Sequence, residues 1–198
     1  MNDKGIDRSR RRFLTTAATV VGGTGTAIAA VPFVAALNPS AKAKAFGAPV
    51  EVDVSDLEPG QMKVELWRGK PVWILRRDEK ALEDLASLEP KLDDPGSDKE
   101  QQPAYAKNEY RSVKSEYLVV LGVCTHLACV PSYVTADEPH NLGDDWKGGF
   151  FCPCHGSFFD LAGRVYKGVP APTNLVVPPH QYLSDTRILI GDDTGVVS

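Results

Sequence analysis

Two short segments of this 198-residue chain decide its fold: CTHLAC at residues 124–129 and CPCHGS at residues 152–157. They contain all four cysteines and two of the four histidines of the chain. Cysteines and histidines grouped in this way indicate a metal site, a set of disulfides, or both.

The charge of the chain is unevenly distributed. Residues 1–44 carry seven Lys or Arg and two Asp, so the net charge of −4 leaves −9 on residues 45–198. A basic head before an acidic body does not fit a nucleic-acid-binding protein, and it is typical of a targeting or membrane-orienting segment. The length allows one domain of about 150 residues with a substantial core.

The N-terminus resembles a twin-arginine export signal, because SRRRFL at residues 9–14 has the S-R-R-x-F-L form. Residues 13–37 carry no charge. As a helix they would extend about 37 Å, more than the ~30 Å hydrocarbon core of a bilayer. This run exceeds the core of a cleaved signal, although small residues within it could imitate a cleavage site. We therefore predict a cytoplasmic N-terminus (1–12) and a retained transmembrane anchor (13–37), with the rest of the chain on the far side.

Residues 38–49 are small, polar and without hydrophobic periodicity, which predicts a flexible tether or an ordinary spacer. Beyond them, short apolar or alternating segments predict strands. The predicted strands are 50–54, 63–67, 71–76, 117–123, 150–151, 158–165, 176–177 and 187–190. Residues 78–88 predict the one soluble helix, capped by Asp78, and the polar residues 89–108 suggest a surface insertion. The predicted fold class is mainly β, an antiparallel sandwich or barrel over residues 50–198.

The two boxes allow several chemistries. Disulfides alone would leave the histidines unexplained, tetrahedral zinc accepts two Cys and two His, and an all-cysteine iron–sulfur cluster would ignore the histidines. A 2Fe–2S centre with two Cys on one iron and two His on the other can take one thiolate and one imidazole from each loop. That choice leaves one cysteine in each loop, and a disulfide could join the two.

The order C-T-H-L-x-C, then C-P-C-H-G-S, resembles the Rieske iron–sulfur proteins, with Ala128 standing where many relatives have glycine. The resemblance also takes in the anchor, the tether and residues 102–111 and 163–172, and it is to the Rieske subunits of bacterial quinol–cytochrome c reductases. It implies one 2Fe–2S cluster in a smaller subdomain at about 122–172. The implied ligands are Cys124 and Cys152 on the buried iron and His126 and His155 on the outer iron. The implied disulfide joins Cys129 to Cys154.

Histidine ligands account for a high reduction potential. Two thiolates and two neutral imidazoles leave the oxidised centre uncharged, whereas four thiolates make it doubly negative. Reduction is therefore easier, and Rieske potentials lie at about −150 to +300 mV, against about −400 mV for plant-type clusters. Such a potential suits a centre that accepts an electron from a quinol, with proton uptake at an imidazole.

The resemblance also assigns tuning residues around the ligands. Ser157 matches a serine whose hydroxyl bonds a bridging sulfide. Phe159 replaces a tyrosine that bonds a cysteine sulfur in many relatives, which predicts a lower potential here. Leu127 matches an exposed leucine that packs at the quinol site, with loop packing as its alternative role. The loop 170–172 resembles the one that covers the cluster, but Val169 interrupts the usual Gly-Pro-Ala-Pro run.

The resemblance implies a single-pass subunit of the bacterial inner membrane whose Rieske domain is periplasmic. The domain docks on cytochrome b, where His155 bonds ubiquinol and takes a proton, and it then swings on its tether towards the cytochrome c subunit of a dimeric complex. One alternative is the Rieske small subunit of a periplasmic oxidase such as an arsenite oxidase. Another is a non-redox zinc-stabilised module. We expect ordinary surface or packing roles for His140 and His180.

Overall fold

The computed structural model describes residues 7–138, 141–143 and 145–196. The chain forms two compact units that divide between Ala45 and Phe46. The first contains helix α1 (Arg8–Ala36), which begins where the Asp7 carboxylate accepts the N–H groups of the first turn. No residue of α1 is buried. Among the described residues, this is the one helix long and apolar enough to cross a membrane, as expected for the predicted anchor.

A short helix, α2 (Ala41–Phe46), lies inside the predicted tether and ends at the boundary of the second unit. The Ser40 side chain accepts the Ala43 N–H and caps its first turn. The expectation of an unstructured segment over residues 38–49 is therefore corrected for these six residues. Alternating Ala and Lys have high helix propensity, and this outweighs the absence of an apolar stripe.

The described residues of the second unit form nine antiparallel strands and one helix of normal length. The strands are β1 (Val50–Asp53), β2 (Met62–Trp67), β3 (Lys70–Arg76), β4 (Tyr117–Leu121), β5 (Ser132–Val134), β6 (Gly149–Cys152), β7 (Ser157–Phe159), β8 (His180–Ser184) and β9 (Arg187–Ile190). Helix α3 (Glu79–Leu88) follows β3, and 3₁₀ turns cover Glu89–Lys91 and Ala104–Ala106. The strands form three sheets of order β1-β9-β8, β2-β3-β4 and β5-β6-β7. The predicted fold class is confirmed.

The sheet β2-β3-β4 contributes to two hydrophobic cores. On β3, Val72 and Ile74 face the core shared with β1 and β9, whereas Trp73 and Leu75 face the core shared with β6, β7 and α3. Strand β4 is buried along its whole length. A strand buried on both faces needs apolar residues at every position rather than at alternate positions. This explains the continuous apolar runs of β3 and β4.

Several local predictions are confirmed and others are wrong. The Asp78 carboxylate accepts the Ala81 N–H at 2.7 Å and caps α3, as predicted. Residues 176–177 were predicted as a strand, but they form irregular backbone that bonds Leu121 and Gln101. The turn between β2 and β3 is Arg68-Gly69, one residue earlier than expected, and both residues have positive φ. Strands β5 and β8 were not predicted.

The interpretation of residues 89–108 as a surface insertion is wrong for part of the segment, although many of its residues are exposed. Leu92, Ser97 and Ala106 in this segment are completely buried, and Asp94 is nearly so. Its buried side chains and backbone groups bond to the body of the domain. Of the two histidines given ordinary roles, His180 is buried in the core, and His140 lies outside the described residues.

Candidate metal centre

Two loops carry the residues of the candidate site. The first loop, residues 124–129, follows the buried strand β4 after two residues. The second loop, residues 152–157, is the turn of the hairpin β6–β7, and Cys152 pairs with Ser157 across it. Both loops therefore leave rigid, buried strands, which fixes the positions of the side chains they carry.

The two loops contain the same hydrogen-bonded turn. The Ala128 N–H donates to the Cys124 carbonyl oxygen at 3.0 Å, and the Gly156 N–H donates to the Cys152 carbonyl oxygen at 2.9 Å. Each turn places its leading cysteine in the buried interior, where Cys124 and Cys152 are both only 2% exposed. The histidines that follow lie nearer the surface.

A disulfide joins Cys129 of the first loop to Cys154 of the second. This is the pair implied by the family resemblance, and it leaves Cys124 and Cys152 as free thiols. The sulfur atoms of Cys129, Cys152 and Cys154 lie within 4.8 Å of one another. Two of these sulfurs are bonded to each other, so this trio is not a set of three thiolate ligands.

The two free thiols lie side by side. Burial raises the pKa of the Cys124 thiol, and the neighbouring Cys152 thiol raises it further. Hydrogen bonds to its sulfur from the His126 backbone N–H and from the Ser157 hydroxyl act in the opposite direction. These donors favour the thiolate, which is the form that binds a metal.

The imidazole rings of His126 and His155 lie beside each other at the mouth of the site. Their centroids are 4.7 Å apart, and the rings are nearly perpendicular. His126 is half-buried and His155 is exposed. Leu127 directly follows His126, and Val130 directly follows the first loop; their exposed fractions are 65% and 55%. The site therefore combines buried sulfur atoms with imidazole rings nearer the surface, and exposed apolar side chains stand next to its first loop in the sequence.

This donor set fits a 2Fe–2S cluster. Two free buried thiols and two adjacent imidazoles, held in two loops joined by a disulfide, match the two-Cys, two-His ligand set of a Rieske centre. An all-cysteine cluster does not fit, because half of the cysteines are bound in the disulfide. Tetrahedral zinc would accept the same four donors, so the donors alone do not separate these two metals.

The residues that the resemblance assigned to tuning lie around these donors. Ser157 is buried, and its Oγ also accepts the Ala171 N–H at 3.0 Å, which brings the 170–172 loop against the second box. Phe159 is fully buried in the core cluster that includes both free cysteines. Val169, which departs from the family pattern, packs on the same cluster.

Sequence reasoning missed a second bond between this loop and the boxes. The Thr125 hydroxyl donates to the Thr173 carbonyl oxygen at 2.7 Å, so the first box also contacts residues 170–175. The acceptor is a backbone atom 48 residues away, and no local pattern predicts such a contact. Buried Arg111 and Asn174 near the same loop were likewise not singled out.

Comparisons with known proteins identify relatives of this chain. Residues 1–40 match the family model "Ubiquitinol-cytochrome C reductase Fe-S subunit TAT signal", and residues 97–179 match "Rieske [2Fe-2S] domain". The ubiquinol–cytochrome c reductase iron–sulfur subunit of Allochromatium vinosum is 58% identical over 98% of this chain and 94% of that protein. The subunit of the same name from Rhodospirillum rubrum is 43% identical over 94% of each. A solved chain described as "Hyperthermophilic respiratory Complex III" is 28% identical, with a TM-score of 0.48, over 89% of this chain and 98% of that one.

Proposed function

From the family to which the chain belongs, that of the iron–sulfur subunits of ubiquinol–cytochrome c reductase with a Rieske 2Fe–2S cluster as cofactor, we propose which residues hold the cluster. We also propose how these residues act. The proposed ligands are Cys124 and Cys152 on the inner iron and His126 and His155 on the outer iron. When bound, the cluster supplies one-electron redox chemistry at the high potential that neutral histidine ligands allow.

The contrast in burial between the two ligand types carries this proposal. Both thiols are buried, whereas His155 is exposed and His126 is half-buried. A quinol that approaches from solvent meets an imidazole before either of the two buried ligand sulfurs, Cys124 and Cys152. His155 is therefore the group that receives the quinol.

His155 acts as the hydrogen-bond acceptor and proton acceptor for the quinol. One ring nitrogen would bind the metal, which would leave the other free to accept a hydrogen bond from the quinol hydroxyl. That nitrogen would take the proton while the electron of the quinol passes to the cluster. Leu127, which is 65% exposed beside it, packs on the apolar quinol ring and displaces water from the contact.

The proposed partners follow from the family. The relatives are named as subunits of ubiquinol–cytochrome c reductase, which supports cytochrome b and a cytochrome c-type subunit as the proteins between which electrons pass. Residues 38–49 would allow the domain to move between them. The basic flank of α1 supports a cytoplasmic N-terminus and a periplasmic domain, in a complex that we propose to be dimeric.

Leu127 offers a test that leaves the ligands intact. In the complex purified from membranes, we expect Leu127→Ala to retain the full cluster content and to weaken quinol binding by about 1.5–3 kcal/mol, which corresponds to at least a tenfold higher KM. Val130→Ala, which changes an apolar side chain of similar exposure three residues further along the chain, is the matched control and should change KM little.

Equal KM values for the two variants would contradict the proposed quinol site. Co-purification addresses the alternative assignment at the same time. Cytochrome b in the purified complex supports the reductase, whereas isolation with a periplasmic oxidase subunit would support the arsenite-oxidase-like alternative. Sequencing the N-terminus of the mature subunit tests whether the anchor is retained.

A further inference from the structure

The loop of residues 170–177 is hydrogen-bonded on two opposite sides. On one side it contacts the two ligand loops. The Ala171 N–H donates to Ser157 Oγ at 3.0 Å, and the Thr173 carbonyl oxygen accepts the Thr125 hydroxyl at 2.7 Å. Any displacement of this loop therefore reaches both ligand loops directly.

On its other side the same loop is bonded to residues 94–111, which overlap the segment 89–108 that was interpreted as a surface insertion. The loop residues that bond residues 94–111 differ from those that bond the ligand loops. The contacts are Lys99 Nζ to Pro172 O at 2.9 Å, Asn174 Nδ2 to Asp94 O at 3.0 Å, and Val177 N to Gln101 O at 2.8 Å. The 94–111 segment thus fixes the position of the loop through hydrogen bonds separate from those to the ligand loops.

Arg111 makes the most extensive of these contacts. Its side chain is fully buried, and its guanidinium donates to Leu175 O at 2.7 Å and to Gln102 Oε1 at 2.9 Å. The other nitrogen donates to the carbonyl oxygens of Ala162 and Gly163. Burial lowers the pKa of Arg111 to about 10.

A buried guanidinium that bonds only neutral acceptors is costly to keep in a core. The geometry of the guanidinium group explains why an arginine is nevertheless buried here. A planar fork with five donors can bond several carbonyl oxygens from separate segments at once, which no other side chain does. Asn174 has a similar role, because its Oδ1 accepts the Val165 N–H at 2.8 Å while its Nδ2 reaches the 94–111 segment.

We propose that residues 94–111 are a positioning element of the metal centre, with two positioning residues: Arg111 in this segment and Asn174 in the 170–177 loop that it holds. They act through the 170–177 loop and do not touch the ligands. Ser157 links that loop to the second ligand loop, since its Oγ accepts the Ala171 N–H and the residue pairs with Cys152 across the β6–β7 hairpin. Its hydroxyl also lowers the pKa of the Cys124 thiol. This inference rests on the proposed ligand set, in which that thiol binds the inner iron.

The consequence is a shift of the midpoint potential. A hydroxyl that donates to a ligand sulfur favours the reduced centre, which carries one more negative charge. If the loop loosens, the Ser157 hydroxyl is held less well and the reduced centre loses this support. We therefore expect the midpoint potential to fall when the contacts from residues 94–111 are removed.

Arg77 provides a matched control for Arg111. It is also almost fully buried, and burial lowers its pKa to about 10 as well. Its guanidinium donates to Tyr110 O, Leu161 O and Ser112 Oγ. Arg77 thus contacts the end of the 94–111 segment, to which Arg111 belongs, but none of these three acceptors lies in the 170–177 loop through which the proposed effect reaches the ligands. Arg111→Gln and Arg77→Gln should therefore both lower thermal stability, and they should differ in their effect on the metal centre.

The experiment is a redox titration of the purified holoprotein followed by electron paramagnetic resonance. For Arg111→Gln we expect the ratio of reduced to oxidised centre at fixed ambient potential to fall about tenfold, a 59 mV decrease for one electron. We also expect broader resonance lines, since the ligand loops would sample more positions. For Arg77→Gln we expect a change in the ratio below about twofold, which is about 18 mV on the same scale.

If Arg111→Gln does not fold, two substitutions of exposed residues provide the same test with less effect on the core. Lys99 and Lys107 have side chains that are 46% and 50% exposed, and each pairs with an aspartate, but only Lys99 bonds the 170–177 loop. Lys99→Ala should lower the midpoint potential by a smaller amount, and Lys107→Ala should leave it unchanged.

The outcomes separate this proposal from the ligand assignment. A wild-type protein without a Rieske resonance would contradict the ligand set itself. A normal wild-type resonance, with Lys99→Ala and Arg111→Gln at the wild-type potential, would overturn the positioning role alone. Equal shifts for Arg111→Gln and Arg77→Gln would also overturn it, because the effect would then follow from general destabilisation.

Discussion

Ala128 and Gly156 occupy the same position in two matching turns, one in each ligand loop. The N–H of each residue donates to the carbonyl oxygen of the cysteine four residues earlier. Both have left-handed backbone, with φ of 63° at Ala128 and 75° at Gly156. Glycine adopts this conformation without strain, whereas alanine does not. The departure from the family pattern at residue 128 therefore lies where the backbone favours glycine.

Ala128→Gly should stabilise the protein. The left-handed conformation costs a non-glycine residue about 1–2 kcal/mol, and this strain disappears in the variant. Glycine also makes the unfolded chain more flexible, which offsets about 0.4–1 kcal/mol of the gain. We expect a net gain of about 0.5–1 kcal/mol in the free energy of unfolding, measured on the oxidised holoprotein by thermal or denaturant unfolding.

Gly156→Ala is the reciprocal variant. A Cβ at residue 156 would meet nothing within 4 Å, so the expected loss of stability comes from backbone strain and not from a clash. A loss of stability in Ala128→Gly, or no loss in Gly156→Ala, would contradict the equivalence of the two turns.

Phe159→Tyr should raise the midpoint potential. Phe159 is fully buried in the cluster that includes both free cysteines, and a hydroxyl there would supply the donor to a cysteine sulfur that the family resemblance implies. Phe158→Tyr is the control, because Phe158 contacts Trp146 and Tyr166 on the opposite face of β7. A redox titration in which Phe159→Tyr did not rise above the wild type would refute this prediction.

His180 should make the domain sensitive to acid. Its Nδ1 donates to the Pro178 carbonyl oxygen at 2.9 Å, and burial lowers the pKa of His180 in the folded protein. In the unfolded chain, His180 has the ordinary histidine pKa of about 6.5. As the pH falls below this value, the unfolded chain therefore binds more protons than the folded chain. The contribution of His180 to the free energy of unfolding is therefore fully present above that pH. It is lost as the pH drops towards the folded pKa, by at most about 1.4 kcal/mol per pH unit.

His180→Asn should reduce that pH dependence, because the amide of asparagine can donate to Pro178 but does not titrate. The measurement is the free energy of unfolding of both proteins at about pH 7 and about pH 5. We expect the wild type to lose more stability between the two values than the variant. Identical losses would show that another group is responsible.

The 38–49 segment should control turnover without affecting the cluster. Deletion of Asn38–Ser40, which precede α2, shortens the chain between the anchor and the domain. We expect slower cytochrome c reduction by the assembled complex and an unchanged resonance spectrum. Replacement of the same three residues by Gly-Ser-Gly keeps the length and should preserve turnover. Wild-type turnover after the deletion would argue against a domain that moves between two partners.

The parts of this protein that follow local rules were predictable from sequence. The Asp78 cap, the apolar strands β3 and β4 and the cysteine–histidine boxes depend on residues close together in the chain. The interpretation failed where a distant contact decides the structure. Strand β8 has no clear alternation and forms by pairing with β9, and the apolar pair Val176-Val177 is held by bonds to Leu121 and Gln101 instead of a sheet.

The 89–108 segment is the clearest such case. Its many polar residues and prolines suggested a solvated loop, because composition does not show which polar groups find partners inside a protein. The Asp94 carboxylate accepts the N–H groups of Asp98 and Lys99, and the Asp94 carbonyl accepts from Asn174, 80 residues away. Polar groups that satisfy one another in this way can be buried, and only the three-dimensional structure identifies the pairs.

The most direct test of the central claim is pulsed electron paramagnetic resonance of the reduced holoprotein, grown with ¹⁵N-labelled histidine. The proposed ligand set predicts an anisotropic 2Fe–2S resonance with coupling to two histidine nitrogens, both of which change on labelling. It also predicts that Cys124→Ser and Cys152→Ser each abolish the resonance. A protein that contains zinc and gives no resonance, or a cluster without nitrogen coupling, would contradict the account.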